Sequence, residues 1–159
     1  MNAIVECETM TAATRAQALQ LLGRFLADDT HYRASAAHYG DGGIEALERA
    51  LDLFLGRPEI GFVWLARADG VAAGACVVCF AISTSRGSLV AKLDDVTIDT
   101  SRRGQGIGAA MLSALTVHLR ALGVGRVDTA CHRANAAAWR FYERRGFRSL
   151  DEERLALLL

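Results

Sequence analysis

The stretch from Leu93 to Ala114, LDDVTIDTSRRGQGIGAAMLSA, constrains this chain most: an apolar strand pattern runs through a basic, glycine-rich turn into an amphipathic helix pattern. A chain with this junction has to set a strand end beside a helix N-terminus. Gly104, Gly106 and Gly108 alternate with Gln105 and Ile107 across it. Glycine has no Cβ, so the backbone there takes positive φ readily and lets a ligand come close. The helix that follows begins with N–H groups lacking intrahelical acceptors and with the positive end of its dipole, both suited to phosphate oxygens. Arg102 and Arg103 add fixed positive charge. The chemical expectation is a phosphate or pyrophosphate cradle made mainly of backbone amides.

Two other readings compete with the cradle. The glycines alone would serve a turn with no ligand. Gly104, Gly106 and Ala109 also satisfy G-x-G-x-x-A, with Asp128 downstream where a dinucleotide fold places its ribose-binding acid. Against the dinucleotide reading, two arginines separate the strand from the first glycine, and the remaining chain is too short for the rest of a doubly wound sheet. A P-loop is excluded because no Gly-Lys-Ser/Thr follows.

At 159 residues the expectation is one domain spanning 1–159, with a substantial core. A 52% apolar content with a single proline points to an ordered globular chain. The 18 basic and 18 acidic residues cancel, which gives no support to a nucleic-acid-binding surface. No apolar run reaches the length of a membrane span, and MNAIVECETM has no signal-peptide pattern, so a cytoplasmic location without membrane attachment is the expectation. Cys76 and Cys79 form a C-x-x-C inside an apolar strand pattern, where odd spacing sends the two thiols to opposite faces. Buried reduced cysteines are expected there, and no metal site.

In chain order, Ala3–Cys7 reads as a strand and Ala12–Ala27 as an amphipathic helix. Asp28–Gly43, DDTHYRASAAHYGDGG, reads as a long loop with room for a turn of helix. Its His31, Tyr32, His38 and Tyr39 beside Asp28, Asp29 and Asp41 suit either a pocket for a cationic group or a solvated surface. Ile44–Leu55 is a second helix. Gly61–Ala68 and Val71–Ser83 form a hairpin about Asp69-Gly70, and Leu89–Asp99 is the next strand. A helix over 107–122, a strand over Arg126–Cys131 and a helix over Asn135–Arg145 follow, then Phe147–Leu150 and Leu155–Leu159 as a closing hairpin. The order is mixed α/β around one central sheet.

Two segments together resemble the GNAT N-acetyltransferase superfamily. Arg103-Gly104-Gln105-Gly106-Ile107-Gly108 matches its R/Q-x-x-G-x-G/A pyrophosphate signature, and Asn135 to Phe147, NAAAWRFYERRGF, looks like its N-x-x-A-x-x-F-Y-x-x-x-G-F segment. The match covers roughly Leu89 to Leu150. It implies a mostly antiparallel twisted sheet, flanked by helices, whose central parallel strands splay apart to hold acetyl-CoA or another acyl-CoA. The pantetheine arm is then expected to pair like a strand with the backbone around Val96, Thr97 and Ile98. Arg103 and Gln105 to Ala109 are expected to hold the pyrophosphate, with Asn135 and Ala138 near the arm. Strand-like hydrogen bonds would both bind and orient such a flexible thioester.

The resemblance further implies direct attack by a primary amine, of a small molecule or a protein, on the thioester in a ternary complex. Such an amine is mostly protonated at neutral pH, with a pKa of about 10.4 for a lysine-like ammonium, so a base or water chain must take a proton. Asp94 and Asp95 are the candidates by sequence. Strand alternation puts them on opposite faces, so one at most is expected to face the acceptor, and the resemblance favours Asp94. A structural charge at the sheet's edge is the other reading of this pair. Tyr142 stays protonated at neutral pH and suits a general acid for the leaving thiolate; the alternative is an aromatic packed on the sheet. His118 reads as a helix-surface residue. His132 and Arg133 follow the last strand, and Arg140, Arg144 and Arg145 suit either the 3′-phosphate of CoA or a solvated face. A non-catalytic acyl-CoA sensor or partner-binding module fits the same motifs, and a homodimer is a family expectation.

Overall fold

The computed structural model describes residues 3–159. Five strands, β1 (Val5–Thr9), β2 (Gly61–Ala68), β3 (Val71–Ser83), β4 (Ser88–Ile98) and β5 (Val124–Thr129), lie in the order β1-β2-β3-β4-β5. Every neighbouring pair is antiparallel except β4–β5, which is parallel. Five helices accompany them: α1 (Arg15–Asp28), α2 (Thr30–Tyr39), α3 (Gly43–Gly56), α4 (Ile107–Ala121) and α5 (Ala136–Glu143). A parallel step needs a crossover, and α4 supplies it between β4 and β5.

Side-chain alternation along the inner strands builds two cores, one on each face of the sheet. Phe62, Trp64, Cys76, Val78 and Leu93 point to the face covered by α4 and Tyr142 of α5. Val63, Leu65, Ala75 and Val77 point to the face covered by Leu21 and Leu22 of α1 and by Leu47 and Leu51 of α3. Leu115 and Leu119 of α4 are almost fully buried, and truncating either to alanine is expected to cost about 2–5 kcal/mol. Cys76 sits in the first core and Cys79 against the second, on opposite faces as their spacing predicts, and all four cysteines are free thiols. His118 is half-buried, stacked 5.0 Å from the Trp64 ring and edge-on to Phe62, where a surface position was expected.

Three further expectations are corrected. The stretch Asp28–Gly43 is not a loop, because Thr30–Tyr39 forms helix α2. The Asp29 carboxylate accepts from the Tyr32 N–H at 2.7 Å, an N-cap that supplies the missing acceptor. Only Ala36 of α2 is buried, so no apolar stripe marked the helix in the sequence. The closing hairpin does not form: Phe147–Leu159 carries no strand. A hairpin needs turn chemistry at its centre, and Asp151-Glu152-Glu153-Arg154 offers only charge. Strand β5 also starts and ends two residues earlier than expected, at Val124 and Thr129.

Candidate active site

Strands β4 and β5 pair from Leu89/Val124 to Leu93/Thr129 and then part. Thr129 closes the last pairing step, its Oγ1 donating to the Leu93 carbonyl at 3.2 Å. Beyond it β4 runs on through Ile98, paired only with β3. Among the described residues no strand pairs with the β5 side of Asp94–Ile98. Thr97 is buried, while Val96 and Ile98 pack against the α4-side core, so what this stretch offers the opening is main chain.

The glycine turn follows directly on the end of β4 that β5 leaves unpaired. A short 3-10 turn, Thr100–Arg102, leaves β4, with Asp99 as its cap. Ser101 N–H and Oγ–H donate to Asp99 at 2.9 and 2.6 Å, and these bonds hold its carboxyl below the usual range. Gly106, at φ 79°, is the N-cap of α4 and no side chain caps this end. Ala110 N–H bonds to the Gly106 carbonyl, which leaves the N–H groups of Ile107, Gly108 and Ala109 as the free donors of the first turn. Ile107 is buried, so its contribution here is backbone alone. A Cβ at Gly108 would lie 3.2 Å from the Phe141 ring, and this absence lets α4 pack closely on α5. Arg103 folds back, its Nε donating to the Ile98 carbonyl at 3.3 Å, while Gly104 and Gln105 are exposed.

Between α4 and α5 lies a cleft of about 560 Å³ lined by Ala109, Ser113, Ala137, Phe141 and three arginines, Arg140, Arg144 and Arg145. Arg145 stacks on Phe141 at 3.8 Å and donates to its carbonyl at 2.7 Å. The uncapped helix end and this cationic cleft suit a ligand with several phosphates. Asn135 caps α5, its Oδ1 accepting from Ala138 N–H at 3.1 Å. Asp128, the acid of the dinucleotide reading, is held by Arg126 at 2.8 and 3.0 Å on exposed β5.

At the other end of the opening, alternation fails where it mattered. The β3–β4 register slips between Ala75/Thr97 and Val77/Asp94, a bulge that inserts one extra residue in β4. Asp95 stands at φ 51° in it. Leu93 and Val96, three apart, therefore both face the α4-side core, and Asp94 and Asp95 fall together between them. Both carboxylates act on Tyr39 of α2, whose hydroxyl is pushed up first by burial and then by their charge. The two differ in company. Asp94 is paired with Lys92 at 3.0 Å; Asp95 is more buried, and desolvation, with the neighbouring Asp94 charge, raises it to about 6.

Tyr142 is buried against Phe141 and Phe147, and desolvation lifts its hydroxyl to about 12, with the Thr129 hydroxyl pulling the other way. Sequence reading does not single out Thr129, although a hydroxyl at the end of a strand pattern is a recognisable signal. Among the described residues no group of three or more His, Cys, Asp or Glu is placed to hold a metal ion, and no helix is long and apolar enough to cross a membrane.

A parallel strand pair opening in front of a helix N-terminus with free backbone donors is a shape that suits an extended, phosphate-bearing ligand. The chain belongs to the acetyltransferase (GNAT) family, whose sequence pattern matches residues 27–147. Solved structures agree on the fold. A possible acetyltransferase from Clostridium difficile 630 superposes with a TM-score of 0.82 at 10% identity, covering 98% of each chain. A transcriptional regulator from Bacillus halodurans C-125 gives 0.76 at 21% identity, with 98% of this chain and 100% of that one covered. A predicted acetyltransferase with acetyl-CoA from Clostridium acetobutylicum gives 0.71 at 14%, with 97% and 96% covered.

Proposed function

We propose that the chain transfers the acetyl group of acetyl-CoA to a primary amine by direct attack within a ternary complex. The parting of β4 and β5 beyond Leu93/Thr129, directly before the side-chain-free N-terminus of α4, carries this reading. Acetyl-CoA, as second substrate, supplies an activated thioester carbonyl. The amides of Gly108 and Ala109, with Arg103 and Gln105 beside them, suit its pyrophosphate. The open edge from Val96 to Ile98 suits its arm, with Asn135 and Ala138 flanking it.

Asp95 serves as the base in this account. Asp94 is engaged by Lys92, whereas Asp95 is desolvated and titrates near neutrality, where a base works best. Asp95 takes the ammonium proton; the freed amine forms the C–N bond as the C–S bond breaks, and the Tyr142 hydroxyl gives its proton to the departing sulfur. The extra proton on the acylated nitrogen then leaves to solvent, from which Tyr142 regains its proton, so that the products are the neutral amide and the CoA thiol. Calorimetric titration with acetyl-CoA, followed by a free-thiol release assay over an amine panel, tests the reading. Binding with thiol release for one amine class supports it. Failure to bind any acyl-CoA overturns it, and binding without release over every amine class favours a sensor.

A further inference from the structure

The two cations of the glycine turn are already engaged. Arg102 pairs with Asp69 at 3.6 Å and donates to the Ala68 carbonyl, and Arg103 folds back on the Ile98 carbonyl at 3.3 Å. In the cleft between α4 and α5 the reverse holds. Arg140, Arg144 and Arg145 line it together with no acid among the lining residues. Among the described residues no ion pair includes any of the three. The negative end of α5 accounts for basic residues at its last turn, but not for three gathered on one cleft without a carboxylate.

The three differ in freedom. Arg145 is half-buried and fixed, its guanidinium 3.8 Å above the Phe141 ring and its Nη1 donating to the Phe141 carbonyl. Burial, and then the charge of Arg144, push its pKa down, so the cluster repels itself. Arg140 and Arg144 are exposed, and a spacing of four residues in helical backbone sets them side by side, where like charges oppose each other. The α4 wall of the cleft begins at Ala109, whose N–H is the last free donor of that helix end, and continues one turn on at Ser113. A group lying in the cleft is therefore next to whatever the α4 amides hold.

Resting on the acetyltransferase reading, we propose that the cleft takes the nucleotide end of the donor, with Arg140 and Arg144 reading the phosphate monoester on its ribose, so that the chain selects thioesters that carry a 3′-phosphate. At about 560 Å³ the cleft has room for a nucleotide. The phosphates of the pyrophosphate are singly charged diesters, whereas the monoester carries about two charges at neutral pH and offers three acceptor oxygens. It is the part of the donor best able to neutralise a cluster of unpaired guanidiniums. Arg145, held on Phe141, adds a fixed charge beside the two exposed arginines that make the contact.

The test is calorimetry on the full chain with acetyl-CoA and with its 3′-dephospho form. Wild type is expected to bind acetyl-CoA at least about tenfold more tightly, the contribution of one charge-assisted phosphate contact, and the preference should shrink as salt rises. In the double variant Arg140→Gln, Arg144→Gln, at two exposed positions, the preference should fall below about threefold. Arg148→Gln removes an exposed charge that lies outside the cleft and should keep the full preference. Equal affinity of wild type for the two donors, a preference that survives the double substitution, or an equal loss in Arg148→Gln overturns the inference. Thiol release over the amine panel separates the two levels. A preference between the donors without acetyl transfer keeps the nucleotide site and sinks the acetyltransferase reading, whereas acetyl transfer with equal donor affinities does the reverse. Failure of both donors to bind overturns both.

Discussion

At the α4 end the opening is lined largely by main chain, the free N–H groups past Gly106 and the open edge of β4, with the arginines of α5 beside it. At the α2 end the groups are side chains, Asp94, Asp95, Tyr32 and Tyr39, brought together by a bulge and a short helix with one buried residue. The first end depends on chain direction and on missing Cβ atoms, so it tolerates most side-chain changes except at the glycines and the α5 arginines. The second depends on particular carboxylates and on the solvation of each. Donor binding and acceptor chemistry should therefore be separable by mutation.

The largest expected effect breaks the acceptor end alone. Asp95→Asn should lower kcat about 100-fold or more and leave acetyl-CoA affinity unchanged by calorimetry. The same variant changes stability in a pH-dependent way. The Asp95 pKa of about 6 lies above its ordinary 3.8, so folding disfavours the charged form. Stability is intact below about 4 and falls as pH rises through about 6. Urea unfolding should find Asp95→Asn more stable than wild type at pH 7, by about 3 kcal/mol at most, with no difference at pH 3.

Tyr142→Phe should reduce kcat about tenfold to 100-fold with acetyl-CoA affinity kept; an unchanged rate would return Tyr142 to a packing role. Gly106→Val is the converse case. A β-branched residue at φ 79° is strained by about 1–2 kcal/mol, and its side chain stands where the cradle needs backbone. Acetyl-CoA affinity should fall about tenfold with little change in KM for the amine. Asp94→Asn should be the mildest, a change in kcat of a few fold, because Asp94 is already neutralised by Lys92 at 3.0 Å. A larger loss than for Asp95→Asn would exchange their roles.

The same contrast explains what could be read from residues alone. The hairpin over Gly61–Ser83, the glycine turn, α4 and α5 stand where periodicity and turn chemistry put them. The acceptor end was harder to read for three local reasons. Helix α2 rests on one Asp29 cap without an apolar stripe. The bulge at Asp95 breaks the two-residue period that strand reasoning assumes, and so hid that Asp94 and Asp95 face the same side. Which acid is desolvated and which is paired depends on Lys92 and α2, contacts made only after folding.

The most direct measurement is kcat/KM for thiol release from acetyl-CoA with the best amine acceptor of the panel, followed from pH 5 to pH 9 in wild type and Asp95→Asn. The account predicts a wild-type rate that rises through an inflection near 6 as Asp95 loses its proton, and a variant that is slow and lacks that inflection. A wild-type profile unchanged in Asp95→Asn, or tight acetyl-CoA binding with no thiol release at any pH, would contradict it.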